Sequence, residues 1–141
     1  MTHPFRLPGV SYLGKGAIKN LALELEKQEA KNVLIITDKG VHKSGVVEKI
    51  KKIVEDCGSQ VFMFLDVEAE PSFENVDLAM DFLKKNSCQL IIGVGGGSPM
   101  DVTKAVSVMA GNEGGLLDYV GINQIPNKGI PHILIPTTSG T

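Results

Sequence analysis

The sequence predicts an α/β domain in which helices cover a mostly parallel β-sheet in layers. Four short apolar runs are nearly continuous rather than alternating, as is typical of strands buried on both faces. The segments between them carry apolar residues at helical spacing, and alternating strands and helices form parallel βαβ units. A chain of 141 residues with 43% hydrophobic content can bury one core, so we expect a single domain.

Each predicted strand coincides with one of the apolar runs. In chain order they are "NVLIIT" (32–37), "VFMFLD" (61–66), "QLIIGV" (89–94) and "HILIP" (132–136). The run "VSYLG" at 10–14 is predicted to form an edge strand or a strand exchanged with a second molecule. The segment 111–129 is rich in Gly, Asn and Pro, which predicts a long connection with at most one short helix.

Four helices are predicted from apolar residues that share one face. Their faces comprise Ile18, Leu21, Ala22 and Leu25; Ile50, Ile53, Val54 and Cys57; Val76, Ala79, Met80 and Leu83; and Val102, Ala105, Val106 and Met109. The first of these helices is predicted to end near Ala30.

Composition argues against nucleic acid and membranes as partners. The formal charge is −2, aromatic residues make up 5% of the chain, and no Trp is present. The apolar runs are far shorter than the roughly 20 residues that span a bilayer, and the first residues lack the pattern of a secretory signal. Cys57 and Cys88 form no C-x-x-C pair. A cytoplasmic protein with two reduced, buried cysteines is therefore expected.

The stretch "GGGS" at the end of the third predicted strand is the strongest indication of a ligand site. Residues 95–97 carry no Cβ, so a ligand can approach the backbone closely. Ser98 is predicted to cap the following helix, with Pro99 at its first position and Asp101 completing a capping box. Free N–H groups and the positive end of the helix dipole favour phosphate. A tight turn is the plain alternative, but one glycine would satisfy it.

This loop matches neither of two familiar nucleotide-binding patterns. Read from Gly93 it gives G-x-G-x-x-S, it follows a late strand, and no acidic residue ends a strand about 20 positions later, unlike the usual dinucleotide fingerprint. No Gly-Lys-Ser/Thr follows, which excludes a Walker loop.

Two acidic residues each allow a local and a ligand-binding interpretation. Asp38 ends the first predicted strand, where a carboxylate can accept hydrogen bonds from a ribose diol and repel a 2′-phosphate, favouring NAD over NADP. Alternatively, "DKG" is merely a turn. Asp101 can cap its helix and pair with Lys104, or contact the ligand. For Asp101 both interpretations stay open.

The final stretch, "IPTTSGT", repeats the pattern of a strand that ends in small hydroxylic residues and glycine. Thr137, Thr138, Ser139 and Thr141 offer hydroxyl and N–H groups at the same edge of the sheet. A polar loop is the plain alternative. A parallel strand normally requires a crossover to follow it, so the sequence is expected to continue in a longer protein.

Taken together, these residues resemble the N-terminal part of the iron-containing (group III) alcohol dehydrogenases. The motifs that carry the resemblance are "GGGSPMDVTKA" (95–105) and "IPTTSGT" (135–141). They are supported by "PGVSYLGKGA" (8–17), "LIITDKG" (34–40) and "NEGGLLDYVGI" (112–122). The motifs follow in the family's order along the whole chain. They are most similar to the branch of 1,3-propanediol dehydrogenases and lactaldehyde reductases.

The resemblance implies a Rossmann-like fold and a set of cofactor-binding residues. They are Asp38 for the ribose; Gly96, Gly97 and Ser98 for the pyrophosphate; Asp101 toward the nicotinamide; and Thr137, Thr138 and Thr141 along the cofactor cleft. The sequence departs from the family at Ala69 and Glu70, which stand where Pro-Asn is frequent. No cofactor contact is therefore assigned to Glu70.

The resemblance also implies the reaction, hydride transfer between a small alcohol or aldehyde and NAD, with Fe²⁺ as Lewis acid. The family holds its iron with Asp and His residues of a C-terminal helical domain, which this sequence lacks. His3, His42 and His132 lie on different elements, so no metal ligand or catalytic residue is expected here. Residues 1–141 are thus expected to be the dinucleotide-binding domain of a longer, homodimeric two-domain enzyme, inactive alone.

Three alternatives remain open from the sequence. The first is a lyase similar to dehydroquinate synthase, and the second is an enzyme similar to glycerol dehydrogenase that uses zinc. The third is a stand-alone nucleotide-binding module. The residues 98–101, "SPMD", fit the alcohol dehydrogenase pattern better than the lyase pattern.

Overall fold

A computed structural model describes residues 17–110 and 129–137 of the chain. In this part, four parallel strands form one sheet and five helices accompany it. The strands are β1 (Asn32–Ile36), β2 (Gln60–Phe64), β3 (Leu90–Gly95) and β4 (His132–Pro136). The helices are α1 (Ala17–Gln28), α2 (Lys39–Lys43), α3 (Val46–Asp56), α4 (Phe73–Lys85) and α5 (Gly97–Ala110). The predicted α/β class with a parallel sheet is confirmed.

The order of the strands in the sheet is β2-β1-β3-β4. The chain passes outward from β1 to β2 and then crosses back over β1 to reach β3 and β4. Strand order therefore reverses between β1 and β3, whose pairing places Ile36 opposite Gly93. In open parallel sheets, a ligand settles beyond the carboxyl ends of the strands at such a switch point.

Helices bury both faces of the sheet. On one face, α1 and α3 pack against the side chains of Val33, Ile35 and Ile92. On the other, α4 and α5 pack against Leu34 and Ile91. These alternating residues are fully buried, which explains why their strands read as continuous apolar runs.

The strand β2 departs from this expectation. Its run was predicted to be covered on both faces, but residues 61–63 are only half-buried. The reason is position, since β2 is the edge of the described sheet and has β1 as its single partner.

The two cysteines differ from each other in burial. Cys88 is buried as predicted, whereas the prediction for Cys57 is wrong: α3 ends at Asp56, and Cys57 follows it as an exposed residue.

The remaining helical faces agree with their predictions at most positions. Val76, Ala79, Met80 and Leu83 of α4 are all buried, as are Val102, Val106 and Met109 of α5. No described helix has the length and apolar character needed to cross a membrane. The predicted strand at 10–14 and nearly all of the predicted connection at 111–129 lie outside the described residues.

Candidate functional site at the β1–β3 switch point

The tips of three neighbouring strands are joined by hydrogen bonds at the switch point. The hydroxyl of Thr37, directly after β1, is fully buried and donates to the carbonyl oxygen of Val94 in β3 at 2.8 Å. After β4, the Thr137 N–H donates to the carbonyl oxygen of Gly95 at 3.0 Å. The structure thus brings the segments that follow β1, β3 and β4 to one edge.

Asp38, predicted to bind ribose or to form a turn, caps a helix that the sequence did not predict. Its Oδ1 accepts a hydrogen bond from the N–H of Val41 at 2.8 Å and so begins α2. This is the local role foreseen for "DKG", in helical rather than simple turn form. The capping bond uses one carboxylate oxygen, so Oδ2 remains available to accept hydrogen bonds.

Two glycines of the loop have different roles, since Gly95 permits the backbone conformation of the loop and Gly97 is exposed at its surface. Gly95 has φ of +138°, and a methyl group there would lie 2.8 Å from Cγ of Pro99 and 3.2 Å from Cγ2 of Val41. Only glycine suits this conformation and this space. Gly97 is exposed, and a methyl group there would meet nothing within 4 Å. None of the described residues therefore occupies the space beside Gly97.

The prediction that Ser98 caps α5 is wrong. The helix begins at Gly97, two residues before the predicted first residue Pro99, and the first helical bond runs from the N–H of Met100 to the carbonyl oxygen of Gly96 at 3.3 Å. The Ser98 hydroxyl instead donates to the carbonyl oxygen of Ala69 at 2.6 Å. Pro99 is accordingly the third helical residue. Among the described residues, the N–H groups of Gly97 and Ser98 have no acceptor, as anion binding requires.

Asp101 likewise does not complete a capping box. It is exposed, and within the described part of the chain its carboxylate neither accepts a hydrogen bond nor forms the predicted ion pair with Lys104. Asp101 instead lines a cavity of about 170 Å³ between α4 and α5, beside Pro71 and Phe73. The capping interpretation of Asp101 is therefore wrong, and its contact with a ligand stays a prediction.

The predicted threonines are only partly covered by the structure. Thr137 lies at the same edge of the sheet as Gly95, half-buried and joined to it through its N–H, and its contact with a cofactor stays a prediction. Thr138 and Thr141 lie outside the described residues.

Groups that hold metals or act as nucleophiles are not assembled in residues 17–110 and 129–137. No three His, Cys, Asp or Glu side chains in these ranges lie close enough to hold a metal ion. His42 is 3.2 Å from Glu48, and His132 is buried with Nδ1 3.2 Å from the hydroxyl of Ser107. Burial raises the pKa of the Cys88 thiol to about 11, so the reactive thiolate is disfavoured at neutral pH.

A larger cavity of about 300 Å³ lies between β2 and α4, away from the glycine loop. Its walls are mainly apolar and include Met63, Leu78 and Phe82. The N–H groups of Gly97 and Ser98 lie instead at the switch point, where ligands of open parallel sheets bind, so the switch point is the better candidate site.

Sequence reasoning missed two buried polar residues that organise this edge. Thr37 ties β1 to β3, and Asn75 at the start of α4 holds the loop that precedes it. A threonine directly after an apolar strand could have been singled out by its position. Nothing in the sequence indicates Asn75, because its partners are backbone atoms brought close only by the fold.

The fold is a Rossmann-like α/β domain whose glycine loop lies at the switch point between β1 and β3. A sequence profile described as "Iron-containing alcohol dehydrogenase" matches residues 8–141. The chain therefore belongs to the iron-containing alcohol dehydrogenase family, as the motifs predicted.

Known relatives agree with this assignment. The chain is 34% identical over 137 residues to the NAD-dependent methanol dehydrogenase of Bacillus methanolicus, covering 97% of this chain. A solved 1,3-propanediol oxidoreductase matches with a TM-score of 0.85 and 34% identity over 96% of the chain. A sulfoacetaldehyde reductase of Bifidobacterium kashiwanohense, solved with NAD⁺, matches with a TM-score of 0.79 and 28% identity over the whole chain.

The chain corresponds to only part of these proteins. It covers 36% of the methanol dehydrogenase, 35% of the 1,3-propanediol oxidoreductase and 37% of the sulfoacetaldehyde reductase.

Proposed function

We propose that this chain is the N-terminal, NAD-binding part of a longer iron-dependent alcohol dehydrogenase. The whole protein transfers a hydride between a small alcohol or aldehyde and NAD. The observation that carries the proposal is the pair of N–H groups at Gly97 and Ser98, which have no acceptor among the described residues and lie beside space that none of those residues occupies. Relatives that use NAD support it.

In this proposal, the residues of the switch point bind and orient the dinucleotide. The N–H groups of Gly97 and Ser98 donate to the pyrophosphate, and the dipole of α5 adds a favourable potential. The free oxygen of Asp38 accepts hydrogen bonds from the adenosine ribose. Thr137, Thr138 and Thr141 line the cleft. When bound, the nicotinamide supplies the hydride chemistry.

The described residues do not fit an iron ion, since they contain no cluster of three metal ligands. We propose that the ligands lie in a further, helical domain of the longer protein. No step of the reaction is therefore assigned to a metal ligand of this chain. Metal analysis of the full-length protein distinguishes iron from the zinc of the glycerol-dehydrogenase-like alternative. A chelator is expected to abolish turnover and to leave NAD binding intact.

We also propose that the full-length protein is a cytoplasmic homodimer, on the strength of the family resemblance and of its two free cysteines. Sedimentation of the full-length protein at twice the monomer mass would support the dimer. A monomer at micromolar concentration would contradict it.

Calorimetric titration of the full-length protein with NAD and NADP tests the proposed function. NAD is expected to bind, and NADP at least about tenfold more weakly, because the charge of Asp38 repels a 2′-phosphate. Asp38→Asn retains an acceptor for Val41 N–H and removes the charge, so it should narrow this preference without unfolding α2. Absence of NAD binding, or an unchanged preference in Asp38→Asn, would contradict the proposal.

Turnover supplies the second test. Alcohol-dependent formation of NADH by the full-length protein is expected, whereas the chain of residues 1–141 alone should form none. Release of phosphate from a dehydroquinate-synthase-type substrate, without alcohol oxidation, would favour the lyase alternative.

A further inference from the structure

The loop between β2 and α4, residues 65–72, borders the proposed cofactor site. Its residue Ala69 is exposed, and the Ala69 carbonyl oxygen accepts the Ser98 hydroxyl at 2.6 Å. The same loop also touches the tip of β1: the N–H of Val67 donates to the carbonyl oxygen of Thr37 at 3.4 Å, and Asp66 forms an isolated bridge with Asp38. One irregular loop thus contacts both halves of the site.

A single buried amide holds this loop in place. Asn75, in the first turn of α4, is only 3% exposed. Its Nδ2 donates to the carbonyl oxygen of Asp66 at 3.0 Å, and its Oδ1 accepts from the N–H of Glu68 at 3.0 Å. Both hydrogen-bonding ends of the side chain are therefore used on backbone groups of the loop. The position of Asn75 is itself fixed, because its N–H donates to the capping hydroxyl of Ser72 at 3.1 Å.

The hydrogen bond from Ser98 to Ala69 limits what Ser98 can offer a phosphate. A hydroxyl can donate one hydrogen bond, and the Ser98 hydroxyl donates it to the carbonyl oxygen of Ala69. A phosphate oxygen is an acceptor, so it cannot share that donor without breaking the bond to the loop. The N–H of Ser98 is the group that remains available.

We propose that Asn75 is a positioning residue of the cofactor site, acting through the loop 66–69 on Ser98 and Asp38. The Asn75 amide keeps the Ala69 carbonyl where it binds the Ser98 hydroxyl. Ser98 in turn serves the dinucleotide through its N–H. This inference rests on the proposed binding of NAD at the switch point.

The test compares NAD dissociation constants of full-length variants, measured by titration well below their unfolding temperatures. Asn75→Ala removes both hydrogen bonds to the loop, and Asn75→Asp retains an acceptor for Glu68 N–H but cannot donate to Asp66. One or two net hydrogen bonds correspond to a loss of about tenfold in affinity for NAD. Both variants should weaken binding, since Asn75→Asp also places a charged oxygen against the carbonyl oxygen of Asp66. In steady-state kinetics, KM for NAD should rise while kcat and KM for the alcohol stay near wild type.

Asn86→Ala is the matched control at the opposite end of α4. Asn86 is half-buried, and its Nδ2 donates to the carbonyl oxygen of Phe82 at 2.9 Å, far along the helix from the loop. Its loss should lower the unfolding temperature without changing NAD affinity. If Asn75→Ala and Asn86→Ala weaken NAD binding equally, Asn75 acts only through stability and the proposal is wrong.

A double-mutant cycle with Ser98→Ala identifies the route of the effect. The cycle compares Asn75→Ala, Ser98→Ala and the variant that carries both substitutions. If Asn75 acts through the Ala69 carbonyl on Ser98, the variant with both should have about the same dissociation constant for NAD as the single variant that binds NAD less tightly. Fully additive losses would overturn the proposed route. If Asn75→Ala does not fold, Asn75→Asp completes the cycle.

The two proposals fail differently. Wild-type protein that does not bind NAD overturns the proposed function, and the positioning role with it. NAD binding that Gly97→Ala weakens and neither Asn75 variant changes overturns the positioning role alone.

Discussion

Thr103 of α5 lies so close to Gly93 of β3 that any side chain at residue 93 would collide with it. A methyl group on Gly93 would overlap Oγ1 of Thr103 and lie 2.9 Å from its Cβ. Gly93 therefore permits close packing of α5 on the sheet. The Thr103 hydroxyl is fully buried and has no hydrogen-bond partner within the part of the chain that the structure describes.

Replacing Thr103 with valine is expected to stabilise the protein. A buried hydroxyl without a partner costs about 1–3 kcal/mol, and valine has nearly the same shape and helix propensity. Thr103→Val should therefore raise the thermal unfolding midpoint by a few degrees, measured by calorimetry. Thr103→Ser is the control, since it retains the hydroxyl, loses a methyl group and should unfold earlier than wild type. A lower midpoint for Thr103→Val would contradict the expectation.

Alanine at residue 95 should lower stability, whereas alanine at residue 97 should lower NAD affinity instead. Gly95→Ala forces a side chain into a positive φ and against Pro99, so the unfolding midpoint should fall, by an amount equivalent to about 1–3 kcal/mol. Gly97→Ala meets open space, so stability should change by less than about 1 kcal/mol. Its methyl group would nevertheless occupy the space proposed for the pyrophosphate, and NAD affinity should fall about tenfold or more. Wild-type affinity in Gly97→Ala would place the phosphate elsewhere.

The hydrogen bond between Thr37 and Val94 should be measurable through isosteric replacement. Thr37→Val leaves the Val94 carbonyl oxygen buried without its donor, which costs about 1–3 kcal/mol. Thr37→Ser keeps the donor and loses one methyl group, at a cost of about 1 kcal/mol. Denaturant unfolding should therefore rank wild type above Thr37→Ser and Thr37→Ser above Thr37→Val. If Thr37→Val is more stable than Thr37→Ser, the hydroxyl of Thr37 contributes less to stability than the methyl group of Thr37.

Stability should decrease in mildly acidic solution because of His132. Burial, and secondarily the positive charge of Lys104, lower the pKa of this imidazole from its ordinary value of 6.5. Below pH 6.5 the unfolded chain binds a proton that the folded chain does not, so the free energy of unfolding falls with falling pH. The loss stops once the pH is below the lowered folded pKa. Above pH 6.5 both states are neutral and this contribution is constant.

Denaturant titrations between pH 7.5 and pH 5 measure this slope. One proton corresponds to at most about 1.4 kcal/mol per pH unit. In His132→Gln the free energy of unfolding should change less steeply with pH, because the His132 imidazole is absent. An equal slope in the two proteins would show that His132 does not titrate differently in the folded and unfolded states.

The strands and the position of the glycine loop could be predicted because they depend on local sequence. "NVLIIT" and "QLIIGV" match β1 and β3 to within one residue, since buried parallel strands require continuous apolar residues. The small helix α2 was missed, because its five residues carry no apolar period. The exposure of β2 was missed because an edge strand and a central strand differ in their neighbours, not in their own residues.

The error at Ser98 has a similar cause. Locally, "SPMD" is a favourable helix start, with serine ahead of proline and a carboxylate three residues on. The helix nevertheless begins at Gly97, since a carbonyl group 29 residues earlier in the chain accepts the Ser98 hydroxyl. No local pattern contains that partner.

The sequence by itself determined the α/β class, the parallel strands, the glycines at the tip of β3 and membership of the alcohol dehydrogenase family. Only the tertiary structure decided the strand order β2-β1-β3-β4, and with it the switch point between the ends of β1 and β3. It also decided that Asp38 caps α2 and that Asn75 holds the loop beside Ser98. The physical reason is that apolar periodicity is encoded in neighbouring residues, whereas a buried polar side chain takes its role from partners that folding brings within hydrogen-bond distance.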